Sequence, residues 1–197
     1  MGAGNNLGIR EAQGKYILIL NPDIYILDKA IDNLYNFIKV NPQIGLVAPK
    51  LLNPDRTLQP TCYRWYGALT PLYRRTIFGK LPRGKKDLQR FLMTDYDHRT
   101  PREVDWCQGS CFMVPKKVFA EVGVFDENYF MYFEDTDLCR RIWRAGYKVF
   151  YLATTSVVHM HMKMSQGGLM KIFSNKLIRA HIRSWFLFLK KYRKKNI

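Results

Sequence analysis

The chain has 197 residues, of which 47% are hydrophobic and 14% aromatic, and this suits one domain with a sizeable core rather than two. Lys and Arg outnumber Asp and Glu by 32 to 16, so the net charge of +16 predicts an anionic partner such as a nucleotide diphosphate, a nucleic acid or an acidic membrane leaflet. The N-terminus lacks a signal-peptide pattern, no apolar run nears ~20 residues, and the four cysteines lack metal-site spacing, which favours a reduced, cytoplasmic protein.

The N-terminal part predicts a strand, a helix and a second strand. Residues 15–20 form a short apolar run typical of a parallel strand covered on both faces. A helical stripe of apolar residues spans 28–40, and a second strand is expected at 44–51. In such a crossover, ligands collect at the carboxyl ends of the strands. Asn21 and Asp23 follow the first strand and are placed to meet one.

The middle of the chain changes from irregular to regular. Residues 57–100 are Pro- and Arg-bearing and poorly periodic, so we expect a long excursion from the sheet, such as a flap. Residues 104–114 are strand-like around Gly109, and Pro115 can begin a short helix that ends near Val122.

The C-terminal part predicts a helix, a strand and a second helix. Residues 134–145 have helical character, and 148–160 alternate as a strand that carries His159 and, just beyond it, His161. From residue 169 to 192 an apolar stripe alternates with Lys and Arg, as in an amphipathic helix.

Acidic residues are concentrated in one short segment. Five of the 16 acidic residues fall within twelve positions, namely Asp126, Glu127, Glu134, Asp135 and Asp137. Such crowding among aromatic rings should raise carboxyl pKa values unless a cation or a substrate proton relieves it. Asp137 lies four residues before Arg141, which predicts a local ion pair. Glu134 and Asp135 have no such partner, so either can serve as a general base, or both can simply cap a helix.

Two further groups carry candidate chemistry. Asp23, a carboxylate of the acidic segment and a strand-terminal histidine form an O,O,N ligand set for Mn²⁺ or Mg²⁺ beside phosphates. The alternatives are an ordinary turn at Asp23 and core histidines at 159 and 161. Asp105 and Trp106 suggest a sugar-binding corner, although a core tryptophan is equally ordinary.

Four segments, 2–23, 104–114, 122–149 and 157–165, together resemble the family 2 glycosyltransferases, especially the bacterial rhamnosyltransferase-like group. The resemblance covers about residues 2 to 165 in the family's order. It implies an α/β fold of GT-A type, with a mainly parallel sheet flanked by helices. It also implies a dTDP- or UDP-sugar donor, a glycan or lipid-linked acceptor, and inversion at the anomeric carbon.

The resemblance implies a role for each candidate residue. Asn21 to Asp23 match a DXD-type motif, in which Asp23 would hold the divalent metal, and His159 matches the late metal ligand, with His161 as the alternative. Glu134 and Asp135 match the family's acidic pair, in which Asp135 would be the base. The donor-binding positions implied are Asn5, Asn6, Asn21, Asp105, Trp106 and Gly109.

The two ends of the sequence raise separate expectations. Family members have a strand, a helix and a second strand before the Gly-Asn-Asn segment, so we expect residues 1–165 to be a GT-A core that is N-terminally truncated. Residues 166–197 are expected to form a basic amphipathic helix. Residues 169–197 could then contact the inner face of the cell membrane, or the helix could pack on the domain.

Two other functions compete with this interpretation. An RNA- or polyanion-binding protein would explain the charge of +16, but no RNA-binding signature occurs and the acidic segment would repel phosphate. A non-catalytic sugar-nucleotide binder is the second alternative. Nucleic acid is therefore the less favoured partner.

Overall fold

The computed structural model describes residues 2–160 and 176–192. Its helices are α1 Gly2–Glu11, α2 Ala30–Lys39, α3 Thr70–Tyr73, a 3-10 helix Ile77–Lys80, α4 Pro82–Leu92, α5 Lys116–Val122, α6 Glu134–Arg144 and α7 Lys176–Tyr192. Its strands are β1 Tyr16–Leu20, β2 Ile24–Ile26, β3 Ile44–Leu52, β4 Leu58–Gln59, β5 Cys62–Tyr63, β6 Arg102–Glu103, β7 Trp106–Cys107, β8 Cys111–Pro115 and β9 Lys148–His159.

The main sheet has the order β1-β8-β3-β9-β2, with β4 beside β3 and β6 beside β9. The predicted α/β class with flanking helices is confirmed, but the prediction of a mainly parallel sheet is wrong. Only β3 and β9 pair in parallel among the described strands, and β8 lies antiparallel between β1 and β3. An apolar run reports burial of a strand and not its direction, so the sequence could not reveal this reversal.

Helices cover both faces of the sheet. On one face, Leu34 and Ile38 of α2 pack against Ile44 and Val47 of β3. On the other face, α5 and α6 contribute to the larger core cluster, with Leu138 of α6 among its fully buried members. The predicted helix at 28–40 and the strands at 15–20, 44–51 and 148–160 are confirmed within two residues at either end.

The excursion between β3 and β6 is more regular than its sequence predicts. It contains α3, the 3-10 helix, α4 and two short strands, of which β5 pairs with β7. Phe91 of α4 is fully buried and stacks on Tyr63 with the ring centroids 5.1 Å apart. Aromatic side chains therefore anchor the excursion to the core. Their irregular spacing along the chain gives no periodic pattern from which this packing could be predicted.

Helix α7 packs on the domain. Phe188 and Tyr192 form a buried aromatic cluster with Tyr129 and Phe133, which precede α6. Ser184 Oγ donates a hydrogen bond of 2.9 Å to a backbone carbonyl of the same segment. Part of the apolar stripe, including Phe188 and Tyr192, is thus used inside the protein, as the packing alternative expects. Membrane contact through 169–197 stays a prediction. The boundary at 165/166 and the alternative ligand His161 lie outside the described residues.

All four cysteines are free and buried, and burial raises the pKa of the Cys62 and Cys111 thiols to about 12. Within residues 2–160 and 176–192, no helix has the length and apolarity needed to cross a bilayer.

Candidate active site

The first corner of the site lies at the start of α6. Asp135 Oδ2 accepts a hydrogen bond of 3.0 Å from the Gly109 N–H, and its Oδ1 accepts one of 2.7 Å from the Thr136 N–H. A Cβ on residue 109 would lie 3.3 Å from the Asp135 Cβ, so glycine permits this close approach. The strand-like segment 104–114 is interrupted here, and the turn between β7 and β8 presents its backbone to the carboxylate.

Burial shifts the titration of both acids upward. Desolvation raises the pKa of Asp135, while the N–H groups of Gly109 and Thr136 oppose the shift. Desolvation and, next, the charge of Asp135 raise the pKa of Glu134 from 4.5 to about 7. Among the described residues, none hydrogen-bonds the buried Glu134 Oε2. Glu134 can therefore gain or lose a proton near neutral pH, and Asp135 holds its proton more tightly than an exposed aspartate does.

Asp137, two residues further along α6, has a different environment. Its Oδ2 lies 2.8 Å from Arg141 Nε, which confirms the predicted ion pair. Its Oδ1 accepts a hydrogen bond of 2.7 Å from the Tyr192 hydroxyl and lies 2.7 Å from Lys191 Nζ. Arg141 also donates to the carbonyls of Val122, Gly123 and Val124. Asp137 is a structural carboxylate that joins α6 to α7.

The second corner joins Asp23, after β1, to His159, at the end of β9. Asp23 Oδ2 lies 3.3 Å from His159 Nε2, and the backbone of β2 pairs with β9 so that Ile24 faces His159. His159 Nδ1 lies 3.1 Å from Gln59 Oε1. Gln59 Oε1 is placed to accept a hydrogen bond from a protonated Nδ1, which orients the ring so that Nε2 faces the Asp23 carboxylate.

These residues fit a divalent cation. A carboxylate oxygen and an imidazole lone pair repel each other at this distance unless a proton or a cation lies between them. The second oxygen of Asp23, Oδ1, is buried, and no hydrogen bond reaches it from the described part of the chain. An O,N pair suits Mn²⁺ or Mg²⁺, which commonly complete their coordination with substrate phosphates and water. Within residues 2–160 and 176–192, no cluster of three ligating His, Cys, Asp or Glu side chains occurs.

A hydrogen-bonded path connects the two corners. The Asn21 N–H donates 2.9 Å to the Ser110 carbonyl, next to the Gly109 that contacts Asp135. Gln108 Nε2 donates 2.7 Å to Ser110 Oγ, and the Gln108 N–H donates 2.8 Å to the Thr61 carbonyl. Thr61 follows the Gln59 that orients His159. Sequence reasoning missed Gln59 and Gln108, because neither lies in a motif and their partners are distant along the chain.

Asn5 and Asn6 occupy α1. Asn6 is buried, and its Nδ2 donates to the Phe125 carbonyl at 2.9 Å and to Glu127 Oε1 at 2.8 Å. Its Oδ1 accepts a hydrogen bond of 2.9 Å from the Phe125 N–H. This amide fixes α1 to the segment before α6, and the predicted contact between Asn6 and a nucleotide stays a prediction. Asn5 is half-buried.

The predicted sugar-binding corner also differs from the expectation. Trp106 is buried and stacks on Tyr63 with the centroids 4.4 Å apart, while its Nε1 donates to the Arg64 carbonyl. The core interpretation of Trp106 therefore holds, and an open aromatic face there is wrong. Asp105 accepts a hydrogen bond of 2.5 Å from the Trp65 N–H and one of 3.2 Å from the Arg64 guanidinium. These bonds connect the excursion to the residue that precedes β7.

No protein-family model matches the chain. The N-acetylglucosaminyl-diphospho-decaprenol L-rhamnosyltransferase of Mycobacterium tuberculosis is 28% identical over 182 residues, covering 88% of this chain and 54% of that protein. Rhamnosyltransferase WbbL of Escherichia coli is 28% identical, and the match covers 98% of this chain and 70% of that protein. A low-salt glycan biosynthesis hexosyltransferase of Haloferax volcanii is 28% identical, and the match covers 79% of this chain and 47% of that protein. The chain thus spans about half the length of two of these relatives.

The crystal structure of GalNAc-T7 with UDP, GalNAc and Mn²⁺ superimposes with a TM-score of 0.62 at 12% identity, covering 99% of this chain and 35% of that one. The fold is that of GT-A glycosyltransferases. This agreement confirms the predicted fold type. At a sequence identity this low, the similarity shows the fold and nothing further. The names of the sequence relatives and the shared fold together support a glycosyltransferase.

Proposed function

We propose that the protein is an inverting glycosyltransferase of the family 2, rhamnosyltransferase-like group. It would move a sugar from a dTDP- or UDP-sugar to a hydroxyl of a glycan or lipid-linked acceptor. The observation that carries this proposal is the path from Asn21 through Ser110, which links the Asp23–His159 corner to the Gly109–Asp135 corner. Diphosphate binding and proton removal need two such adjacent sites.

Asp23 and His159 would hold Mn²⁺ or Mg²⁺, and the ion would supply positive charge to the diphosphate. Gln59 fixes the imidazole so that Nε2 faces this position. The half-exposed Asp23 carboxylate leaves room for donor oxygens, while Met160 N–H holds the Asp23 backbone at 2.8 Å. Asn21, next to the Ser110 turn, is placed to contact the donor.

Asp135 would accept the proton of the acceptor hydroxyl. A hydroxyl has a pKa far above 7, so it loses its proton as its oxygen attacks the anomeric carbon. The bond from that carbon to the diphosphate oxygen breaks with its electron pair, and the nucleoside diphosphate departs. The two N–H groups on Asp135 orient its carboxylate, and burial raises its pKa, which favours proton transfer to it.

The acceptor class follows from the relatives as a proposal. The mycobacterial relative's name contains a diphospho-decaprenol, which makes a lipid-linked acceptor at the inner face of the membrane the preferred candidate. The solved GalNAc-T7 structure contains UDP, and the rhamnosyltransferases among the relatives favour a deoxysugar donor, so both donor classes belong in the assay.

Donor binding tests the proposal by calorimetric titration with UDP- and dTDP-sugars, with and without Mn²⁺. We expect metal-dependent binding that Asp23→Asn weakens roughly tenfold or more, because a ligand is lost. Asp28→Asn, on an exposed carboxylate five residues away, is the matched control and should bind normally. Donor affinity that changes neither on addition of Mn²⁺ nor in Asp23→Asn would contradict the proposed site. No binding by the folded protein would favour the polyanion-binding alternative.

A further inference from the structure

The excursion carries a group of exposed apolar side chains that the proposed site does not use. The side chains of Ile77, Phe78 and Leu81 are 75%, 50% and 54% exposed. They occupy the 3-10 helix and the residue that leads into α4. Large apolar side chains this close together and this exposed indicate a contact surface.

The same stretch is strongly cationic. Residues 74–86, which we term the docking patch, contain six basic and no acidic side chains: Arg74, Arg75, Lys80, Arg83, Lys85 and Lys86. Asp87, the acid that follows, already accepts a hydrogen bond from Thr70 and pairs with Arg90 at 3.2 Å. The positive charge of the patch is therefore not neutralised by that neighbour.

A cavity opens within the docking patch. It has a volume of about 560 Å³ and is lined by Tyr73, Phe78, Leu81, Pro82, Arg83 and Gly84. The walls are mainly apolar, and Arg83 supplies a cation at the same place. This combination suits a group with a hydrocarbon part and an anionic head.

We propose that the docking patch binds the surface of an anionic lipid bilayer. Ile77, Phe78 and Leu81 enter the boundary between head groups and acyl chains, and four exposed cations contact lipid phosphates: Lys80, Arg83, Lys85 and Lys86. Arg74 lies over the Phe91 ring and Arg75 is half-buried, so these two contribute less. A nucleic acid would satisfy the charges but leave the aliphatic side chains in water. The inference does not depend on glycosyl transfer, since it rests on exposure and charge alone.

Vesicle co-sedimentation tests the apolar part. The full chain is mixed with phosphatidylcholine vesicles with or without phosphatidylglycerol. We expect binding to the anionic vesicles, weakened roughly tenfold or more by Ile77→Ser/Leu81→Ser because two inserted side chains are lost. Leu7→Ser/Val40→Ser is the matched control, since these residues are 62% and 73% exposed elsewhere on the protein. Equal loss in both double variants would overturn the proposal.

Charge variants test the cationic part and the alternatives. Lys85→Gln/Lys86→Gln should weaken binding about fivefold per cation, and added salt should weaken it further. Arg183→Gln/Lys190→Gln, on the exposed face of α7, should leave it unchanged. A larger effect of the α7 variant, or equal binding to neutral vesicles, would overturn the proposal. So would binding to poly-glutamate without binding to vesicles, which would indicate an acidic protein partner. Thermal unfolding verifies that each variant is folded.

Discussion

Asp135 and Asp137 lie on the first turn of the same helix, yet their surroundings are opposite. Asp137 is completely buried and contacts two cations and a hydroxyl, from Arg141, Lys191 and Tyr192. Asp135 accepts its hydrogen bonds from neutral groups, the N–H of Gly109 and the N–H and hydroxyl of Thr136. The difference teaches that cationic partners, and not position in an acidic segment, distinguish a structural carboxylate from one that can exchange a proton.

Asp135→Asn should have the largest effect of all. The amide keeps the shape of the side chain but cannot accept the acceptor proton, so turnover should fall roughly 10² to 10⁴-fold. Sugar transfer or donor hydrolysis measures the loss, and calorimetric donor binding should stay within about twofold. Turnover close to that of the parent protein would remove Asp135 as the base. Asp28→Asn serves again as the control.

Asp137→Asn should destabilise the fold rather than the chemistry. Removing one partner from a buried ion pair leaves Arg141 uncompensated, which typically costs roughly 3 to 5 kcal/mol of unfolding free energy. Urea denaturation measures this loss, and turnover per folded molecule should change much less than in Asp135→Asn. Asp32→Asn, an exposed acid in the first turn of α2, is the control. An Asp137→Asn protein that is as stable as the parent but inactive would contradict the structural role of Asp137 and point to a role in the reaction.

Glu134→Gln should change how stability depends on pH. Because the pKa of Glu134 is raised from 4.5 to about 7 by folding, ionisation at higher pH opposes folding. The parent protein therefore loses stability as pH rises through this range. The glutamine variant should lose less, because Asp135 is then the only acid of the pair whose ionisation opposes folding. We expect the variant to gain on the order of 1 to 3 kcal/mol relative to the parent above pH 7, and little below pH 4.5. A constant difference at all pH values would contradict the buried acid.

Tyr192→Phe should have the smallest effect. It removes the hydroxyl that donates 2.7 Å to Asp137 Oδ1 but leaves Lys191 at the same oxygen, so we expect about 1 kcal/mol of destabilisation. Thermal unfolding compares it with Tyr25→Phe, an exposed tyrosine of β2 that should be neutral. No loss at Tyr192 would mean that α7 docks by apolar packing alone.

The sequence was informative where chemistry is local or where strand ends fix position. The Asp137–Arg141 pair follows from four-residue helical spacing, and the approach of Asp23 to His159 follows from their positions at strand ends. Gln59 was not predictable, because it reaches His159 from an aperiodic stretch 100 residues away. The reversed direction of β8 was likewise hidden, since its apolar residues suit either orientation.

Side chains with two plausible environments could not be assigned from sequence. Trp106 suits a sugar or a core equally, and only the stacking on Tyr63 decides for the core. Asn6 follows glycines as a ligand-contacting residue would, yet its amide serves Phe125 and Glu127. The apolar stripe of α7 could enter lipid or cover a protein surface, and nothing local to Phe188 distinguishes these outcomes.

Tyr132 and Phe133, just before α6, are consecutive residues with φ of 68°, a left-handed conformation that costs each about 1 kcal/mol or more outside glycine. Phe188 packs on Phe133, and Ser184 hydrogen-bonds the carbonyl of Met131, so α7 braces this twisted segment from outside. Because Phe133 is the N-cap of α6, this contact also supports the first turn of that helix, which carries Asp135. Residues of α7, some fifty positions downstream, thereby help to hold the Asp135 carboxylate where it accepts the hydrogen bond from Gly109.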